Sequence, residues 1–224
     1  QIAAQYVGAT LDIVPDFQMG VTNKTAEFLA KFPFGKVPAF ESASGDAIYE
    51  SNGIATYVAA LKPEAKLLGD GPAEQAQIAQ YVAVGDNELN GSIAVSIYPL
   101  LGYYPYNKNN AEKAQAQLAT VFGTLNEVLS SKTFLVGERV TFADISLVCS
   151  IMPLFKLAWD AKMRAPYGNL LRWFDTCVHQ AEFVAVIGDF EMCTTPMAPP
   201  AAAEKPKKEK KEKKAAEPKK EKKA

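Results

Sequence analysis

FGKVPAF at Phe34–Phe40, followed by YESNGIATYV at Tyr49–Val58, is the stretch on which the fold turns. VPAF reads as a short strand and AIYE as another, while SNGIATYVAAL has helical spacing. Ser51 stands where strand gives way to helix, facing the unpaired N–H groups of the first turn. A proline ahead of a strand is commonly a turn device, and a serine at a helix start is commonly a cap worth about 1 kcal/mol. Singly, neither residue specifies a function. The ordered set, with its spacing, is the informative feature.

Outward from this stretch the chain divides into three parts. Residues 1–66 alternate between patterns: IAAQYVGA is the end of a helix, TLDIVP a short strand and TAEFLAKF a helix opening at a threonine cap. Residues 67–196 carry only helical signals, in PAEQAQIAQYVAVGDNEL, AEKAQAQLATVFGTLNEVLSS, TFADISLVCSIMPLFKLAW and NLLRWFDTCVHQAEFVAVI. Within them Thr141 and Asp144 form a capping box, whose role is structural. Residues 197–224, MAPPAAAEKPKKEKKEKKAAEPKKEKKA, hold no aromatic or β-branched residue and read as a disordered Lys/Glu/Ala/Pro linker.

Charge follows the same division. Residues 1–200 carry 13 Lys/Arg against 20 Asp/Glu, and residues 201–224 carry 11 Lys against 5 Glu, so a net −1 conceals a body at −7 and a tail at +6. An acidic body argues against specific nucleic-acid binding, which needs a clustered basic face. No apolar run approaches the roughly 18–20 residues of a membrane span, and QIAAQYVGAT lacks the layout of a secretory signal, so the cytoplasm is the expected compartment. Cys149, Cys177 and Cys193 are widely spaced and, with the lone His179, offer neither a metal site nor a disulfide framework. They read as reduced structural thiols.

FGKVPAF and YESNGIATYV resemble the glutathione-binding face of the glutathione-transferase superfamily. The resemblance implies a thioredoxin-like α/β N-terminal domain followed by an all-helical C-terminal domain. It implies a cis bond between Val37 and Pro38, which turns the Val37 N–H and C=O outward to pair with the cysteinyl backbone of glutathione. Ser51 then holds the γ-glutamyl carboxylate at the helix start, Glu50 meets the γ-glutamyl ammonium, and Lys36 lies near the glycyl end. In that superfamily the group that activates the thiol follows a first strand, ahead of the helix in which this sequence begins. No residue here is assigned that role, so no catalytic residue is named, and Tyr6 reads as a packing residue.

TNKTAEFLAKFPFGKVPAFE, PYNKNNAEKA, TFLVGERVTFADISLVCS and LRWFDTCVHQAEFVAVIG are similar to one branch, the elongation factor 1 gamma family. That resemblance implies a non-catalytic scaffold in the guanine-nucleotide-exchange complex of translation. Its partners would be the exchange subunits, an aminoacyl-tRNA synthetase and a second copy of the chain. No cofactor is required, and glutathione is the ligand to test. The rival reading is a working glutathione transferase, and a third is an interaction domain of the kind appended to aminoacyl-tRNA synthetases. Trp159 and Trp173 read as core or interface anchors, and His179 as a surface or helix-end residue. Tyr98–Lys108, YPLLGYYPYNK, is expected to lie over the ligand cleft or to form a partner surface.

Overall fold

A computed structural model describes residues 1–199. The expected linker at 197–224 lies almost entirely outside the described residues. The N-terminal half starts with α1, Ile2–Val7, which buries Ile2, Ala3, Ala4 and Val7 and ends at Gly8 in the left-handed region (φ 68°). The short α2, Ala26–Lys31, opens at Thr25, whose hydroxyl accepts the Phe28 N–H at 3.2 Å. Strands β1, Ala39–Glu41, and β2, Ala47–Tyr49, then pair antiparallel with Ala39 opposite Tyr49 and Phe40 opposite Ile48. Helix α3, Ser51–Ala60, leaves directly from β2.

The expected strand at TLDIVP does not form. Residues 10–14 are irregular, and Ile13 and Val14 are 71% and 69% exposed. A strand is held by its ladder, and the only sheet among the described residues is the β1–β2 pair, which does not engage this segment. Local β propensity without a partner is insufficient.

The second half is helical. It comprises α4 (Pro72–Val84), α5 (Asn90–Ile97), α6 (Lys108–Val128), α7 (Phe142–Leu157), α8 (Ala161–Arg164), α9 (Gly168–Val178) and α10 (Ala181–Ile187). A π-helical turn at Gly85–Leu89 joins α4 to α5. Helix α7 is the spine: Leu147, Val148, Ile151, Leu154 and Phe155 are fully buried on it. Around its C-terminal end Phe122 meets Trp159 at 5.0 Å and Phe155 meets Phe174 at 4.9 Å, both edge-to-face, a geometry that adds about 0.5–1.5 kcal/mol per pair beyond burial. Trp159 and Trp173 are core residues. His179 is exposed at the C-terminal end of α9, where Nδ1 lies 2.8 Å from the Asp175 carbonyl oxygen.

One apolar cluster runs through both halves, from Ile2 and Val58 to Trp173 and Phe183. Within the helical half, the segment leading into α4 is tied to the start of α7 by the Phe142 N–H, which donates to the Leu67 carbonyl at 2.8 Å, and by Arg139 Nη2, which donates to Glu74 Oε2. No helix among the described residues is long and apolar enough to cross a membrane.

Candidate glutathione-type site

The β1–β2 hairpin brings the two sequence signals together. The strands end at the Ala39–Tyr49 pair, so Pro38 and Glu50, the residues next to that pair, come to line the same pocket. The Val37–Pro38 peptide is cis, and the Val37 N–H and C=O make no hydrogen bond among the described residues. Lys36, Val37, Pro38 and Glu50 line one small pocket of about 90 Å³, with Phe34 and Tyr49 at its side. Ser51 lies just outside it, on the wall of a larger cleft of about 690 Å³ between the two halves.

Ser51 is the first residue of α3, so the N–H groups of Ser51, Asn52 and Gly53 have no carbonyl four residues back within the helix. The Glu50 side chain does not cap them. These donors, the positive end of the helix dipole and the Ser51 hydroxyl form a place where a carboxylate is stabilised.

Three features of the site lie beyond the sequence reading. Glu50 has φ 68° and ψ 129°, a conformation that costs a side-chain-bearing residue about 1–3 kcal/mol and recurs at ligand clamps. Nothing in Tyr-Glu-Ser announces it. Asn23, 3% exposed, accepts the Gly20 N–H on Oδ1 and donates from Nδ2 to the Gly35 carbonyl, both at 2.6 Å, so it holds the loop that carries Lys36. Gly35 is required there: φ is 58°, and a Cβ would lie 2.9 Å from the Asn23 carbonyl oxygen. Asn52 bridges the halves, donating to Asp86 at 3.0 and 3.1 Å and accepting from Ser146 at 3.2 Å. Asp86 belongs to the π-helical turn, a feature frequent at functional sites.

The cleft is walled mainly by α5 and α7 opposite Ser51 and Asn52, with Tyr98 at its rim. Tyr98 is thus the part of the tyrosine-rich loop that reaches the cleft. Tyr103, Tyr104 and Tyr106 are 70%, 62% and 52% exposed, with Tyr103 and Tyr104 both packed on Tyr98 at 5.8 Å. Cys149 is exposed by surface area on the cleft wall, yet the protein packed around its sulfur desolvates the thiolate and pushes the thiol up to about 11. Cys177 is buried and its thiol is raised further, also by desolvation. All three cysteines are free. Among the described residues no three His, Cys, Asp or Glu side chains are grouped to hold a metal ion.

Asp144 lies away from the cleft mouth, fully buried at the start of α7. Its Oδ2 accepts the Thr141 N–H at 2.8 Å and hydroxyl at 3.0 Å, and its Oδ1 accepts the Leu135 N–H at 2.9 Å and the Trp173 indole at 2.8 Å. The capping box is present. Burial raises the carboxyl above its ordinary range and the four donors oppose that rise. With every oxygen engaged, Asp144 organises the core.

The profile of the glutathione S-transferase N-terminal domain matches residues 1–60, and that of the C-terminal domain matches residues 73–181. Elongation factor 1-gamma-A of Xenopus laevis is 46% identical over 195 residues, covering 86% of this chain and 44% of that protein. Elongation factor 1-gamma of Homo sapiens is 42% identical over 195 residues with the same coverage, so the chain spans less than half the length of these relatives. The GST-like domain of elongation factor 1-gamma from Saccharomyces cerevisiae superimposes with a TM-score of 0.75 at 26% identity, covering 89% of this chain and 92% of that one. Glutathione transferase F2 of Populus trichocarpa, at 23% identity and TM-score 0.76 over 83% of this chain and 89% of that one, shares the fold. The chain belongs to the glutathione S-transferase family, in its elongation factor 1-gamma branch, and corresponds to the transferase-like region of those proteins.

Proposed function

We propose that this chain is a partner-holding domain of the translation elongation factor 1 complex, anchoring the nucleotide-exchange subunit without turning over substrate itself. The observation that carries the reading is 46% identity over 195 residues to elongation factor 1-gamma-A, against 23% to a glutathione transferase of the same fold. The site chemistry supports it. Thiol transfer needs a hydroxyl or thiol tuned to stabilise a thiolate, and desolvation pushes Cys149, the thiol on the cleft wall, the opposite way. The exposed Tyr103–Tyr106 loop supplies aromatic surface suited to a partner, and pairing with a second copy or an aminoacyl-tRNA synthetase fits the same reading. The domain then works in the cytoplasm. Co-purification of the full-length protein with the exchange subunit is the test; no stable complex at micromolar concentration would remove the proposal.

A second reading, that the cleft still binds glutathione, is favoured by the cis Val37–Pro38 peptide, the unengaged Val37 backbone and the open start of α3. Val37 pairs with the cysteinyl backbone as one more strand, Ser51 takes the γ-glutamyl carboxylate, Glu50 the ammonium and Lys36 the glycyl carboxylate. Calorimetric titration with glutathione should give binding that Ser51→Ala weakens about tenfold, the worth of about 1.4 kcal/mol. Binding unchanged in Ser51→Ala would reject this assignment, and conjugation of an electrophile lost in that variant would restore the enzyme reading.

A further inference from the structure

We propose that the shallow pocket where α8, α9 and the segment after α10 meet is a carboxylate-recognition site for an acidic peptide segment of a protein partner. It shares no lining residue with the cleft or with the cis-proline pocket, so it stands whether or not glutathione binds.

The chain has three arginines. Arg139 is paired with Glu74. The other two, Arg164 and Arg172, line this one pocket of about 360 Å³, and no carboxylate among the described residues comes within 4.0 Å of either. Each guanidinium is instead fixed by backbone carbonyls. Arg164, 7% exposed, donates from Nη1 to the carbonyls of Trp159 and Cys193. Arg172 donates from Nη2 to the carbonyls of Leu129 at 2.7 Å and Lys132 at 2.8 Å.

Carbonyls orient a guanidinium without neutralising it. Nε and Nη2 of Arg164 make no hydrogen bond among the described residues, and neither is fully sealed from solvent, since the only fully buried side-chain atoms without a partner among the described residues are Tyr6 Oη and Arg139 Nε, both outside this pocket. An arginine with its rotamer already set loses little entropy on binding, and its planar fork matches a carboxylate with two parallel bonds. Two such charges on one pocket, in a body with seven more acidic than basic side chains, favour a carboxylate from outside. Asp175 on the same wall tells against the higher charge of a phosphate chain, and the acidic body repels nucleic acid. The half-buried Leu171 and Met192 provide an apolar flank for the neighbours of an acidic residue in a peptide.

The test is NMR on the full chain, following the three arginine Nε–Hε cross-peaks during titration with a blocked peptide of alternating Leu and Glu. Arg164 and Arg172 should shift while Arg139 stays, and a Leu/Gln peptide should move none of them. Arg172→Gln should weaken binding about tenfold. Asp175→Asn, which removes the lining carboxylate without touching the arginine contacts, should tighten it about threefold, so the proposal stays open to refutation even if the arginine variant fails to fold. The proposal is overturned if the Glu peptide moves neither cross-peak, if the Gln peptide moves them equally, or if Asp175→Asn leaves affinity unchanged. It is likewise overturned if inorganic phosphate or an RNA oligonucleotide moves them at lower concentration than the peptide.

Discussion

The Tyr6 hydroxyl is buried, with the Glu182 carboxylate nearby as its one candidate acceptor but no well-aligned hydrogen bond to it, while its ring packs edge-on to Phe183 at 6.4 Å. Desolvation, aided by the nearby Glu182 carboxylate, pushes the phenol well above its ordinary range. A buried donor left unmade costs about 1–3 kcal/mol, whereas the ring's packing survives removal of the oxygen. Tyr6→Phe should therefore stabilise the fold by about 1 kcal/mol, raising Tm by about 2–4 °C in calorimetry; a lower Tm would show that the hydroxyl has a partner. Cys149 gives a second prediction, from chemistry. With the thiol raised from 9.0 to about 11, the thiolate fraction at pH 8 falls about a hundredfold below that of an unperturbed thiol. Alkylation of Cys149 by iodoacetamide, mapped by mass spectrometry, should be about 10–100-fold slower than for free cysteine and should climb with pH until about 11; a plateau near pH 9 contradicts the desolvation. Pro38, Glu50 and Ser51 could be picked out from their order in the sequence. The positive φ of Glu50 and the bridging bonds of Asn23 and Asn52 could not, because they depend on backbone and partners distant in the chain.

Helix α7 and the segment at 10–15 show why some secondary structure was readable and some was not. The α7 start is written locally: Thr141 and Asp144 at cap spacing, followed by a mostly apolar run, describe a helix buried over most of its surface, with only the face carrying Cys149, Pro153 and Lys156 exposed. The residues at 10–15 carry strand propensity alone, and a strand is completed only by its neighbour, so TLDIVP stays irregular with Ile13 and Val14 exposed. Helix α7 also hides what its sequence could not reveal, that the Asp144 carboxylate holds Leu135 and Trp173 besides its own cap. Asp144→Ala would strand a backbone N–H at 135, another at 141 and the indole N–H in a dry core. The expected loss is about 3–5 kcal/mol, read as a lower denaturant midpoint with an unchanged slope. A loss below about 1 kcal/mol would mean that the carboxylate caps the helix and nothing more.

Both halves share one apolar cluster, and polar contacts where the helical half begins hold α4 to the loop before α7 at its solvent edge. Glu74, on α4, accepts the Asp70 N–H at 2.8 Å and pairs with Arg139 from the loop before α7. These bonds, the Asp70 N–H foremost and Arg139 next, hold the Glu74 carboxyl below its ordinary value of 4.5, and Lys66 does the same for Asp70. A carboxyl whose folded pKa is depressed stabilises the fold at pH above its unfolded value, and that stabilisation is lost as pH falls through the folded one. Protonation of Glu74 therefore loosens the tie between α4 and the loop before α7 while leaving the shared apolar cluster dry. Thermal melts from pH 7 to pH 3 should keep a single transition whose Tm is flat down to about pH 4.5 and then declines. Glu74→Gln, which cannot ionise, should start from a lower Tm at pH 7 and decline less below pH 4.5. If the variant loses Tm with acid as steeply as the parent, the linkage lies elsewhere, with Asp46 the next carboxyl to remove, since Ser44 and Ser42 hold it below its ordinary range in the β1–β2 turn.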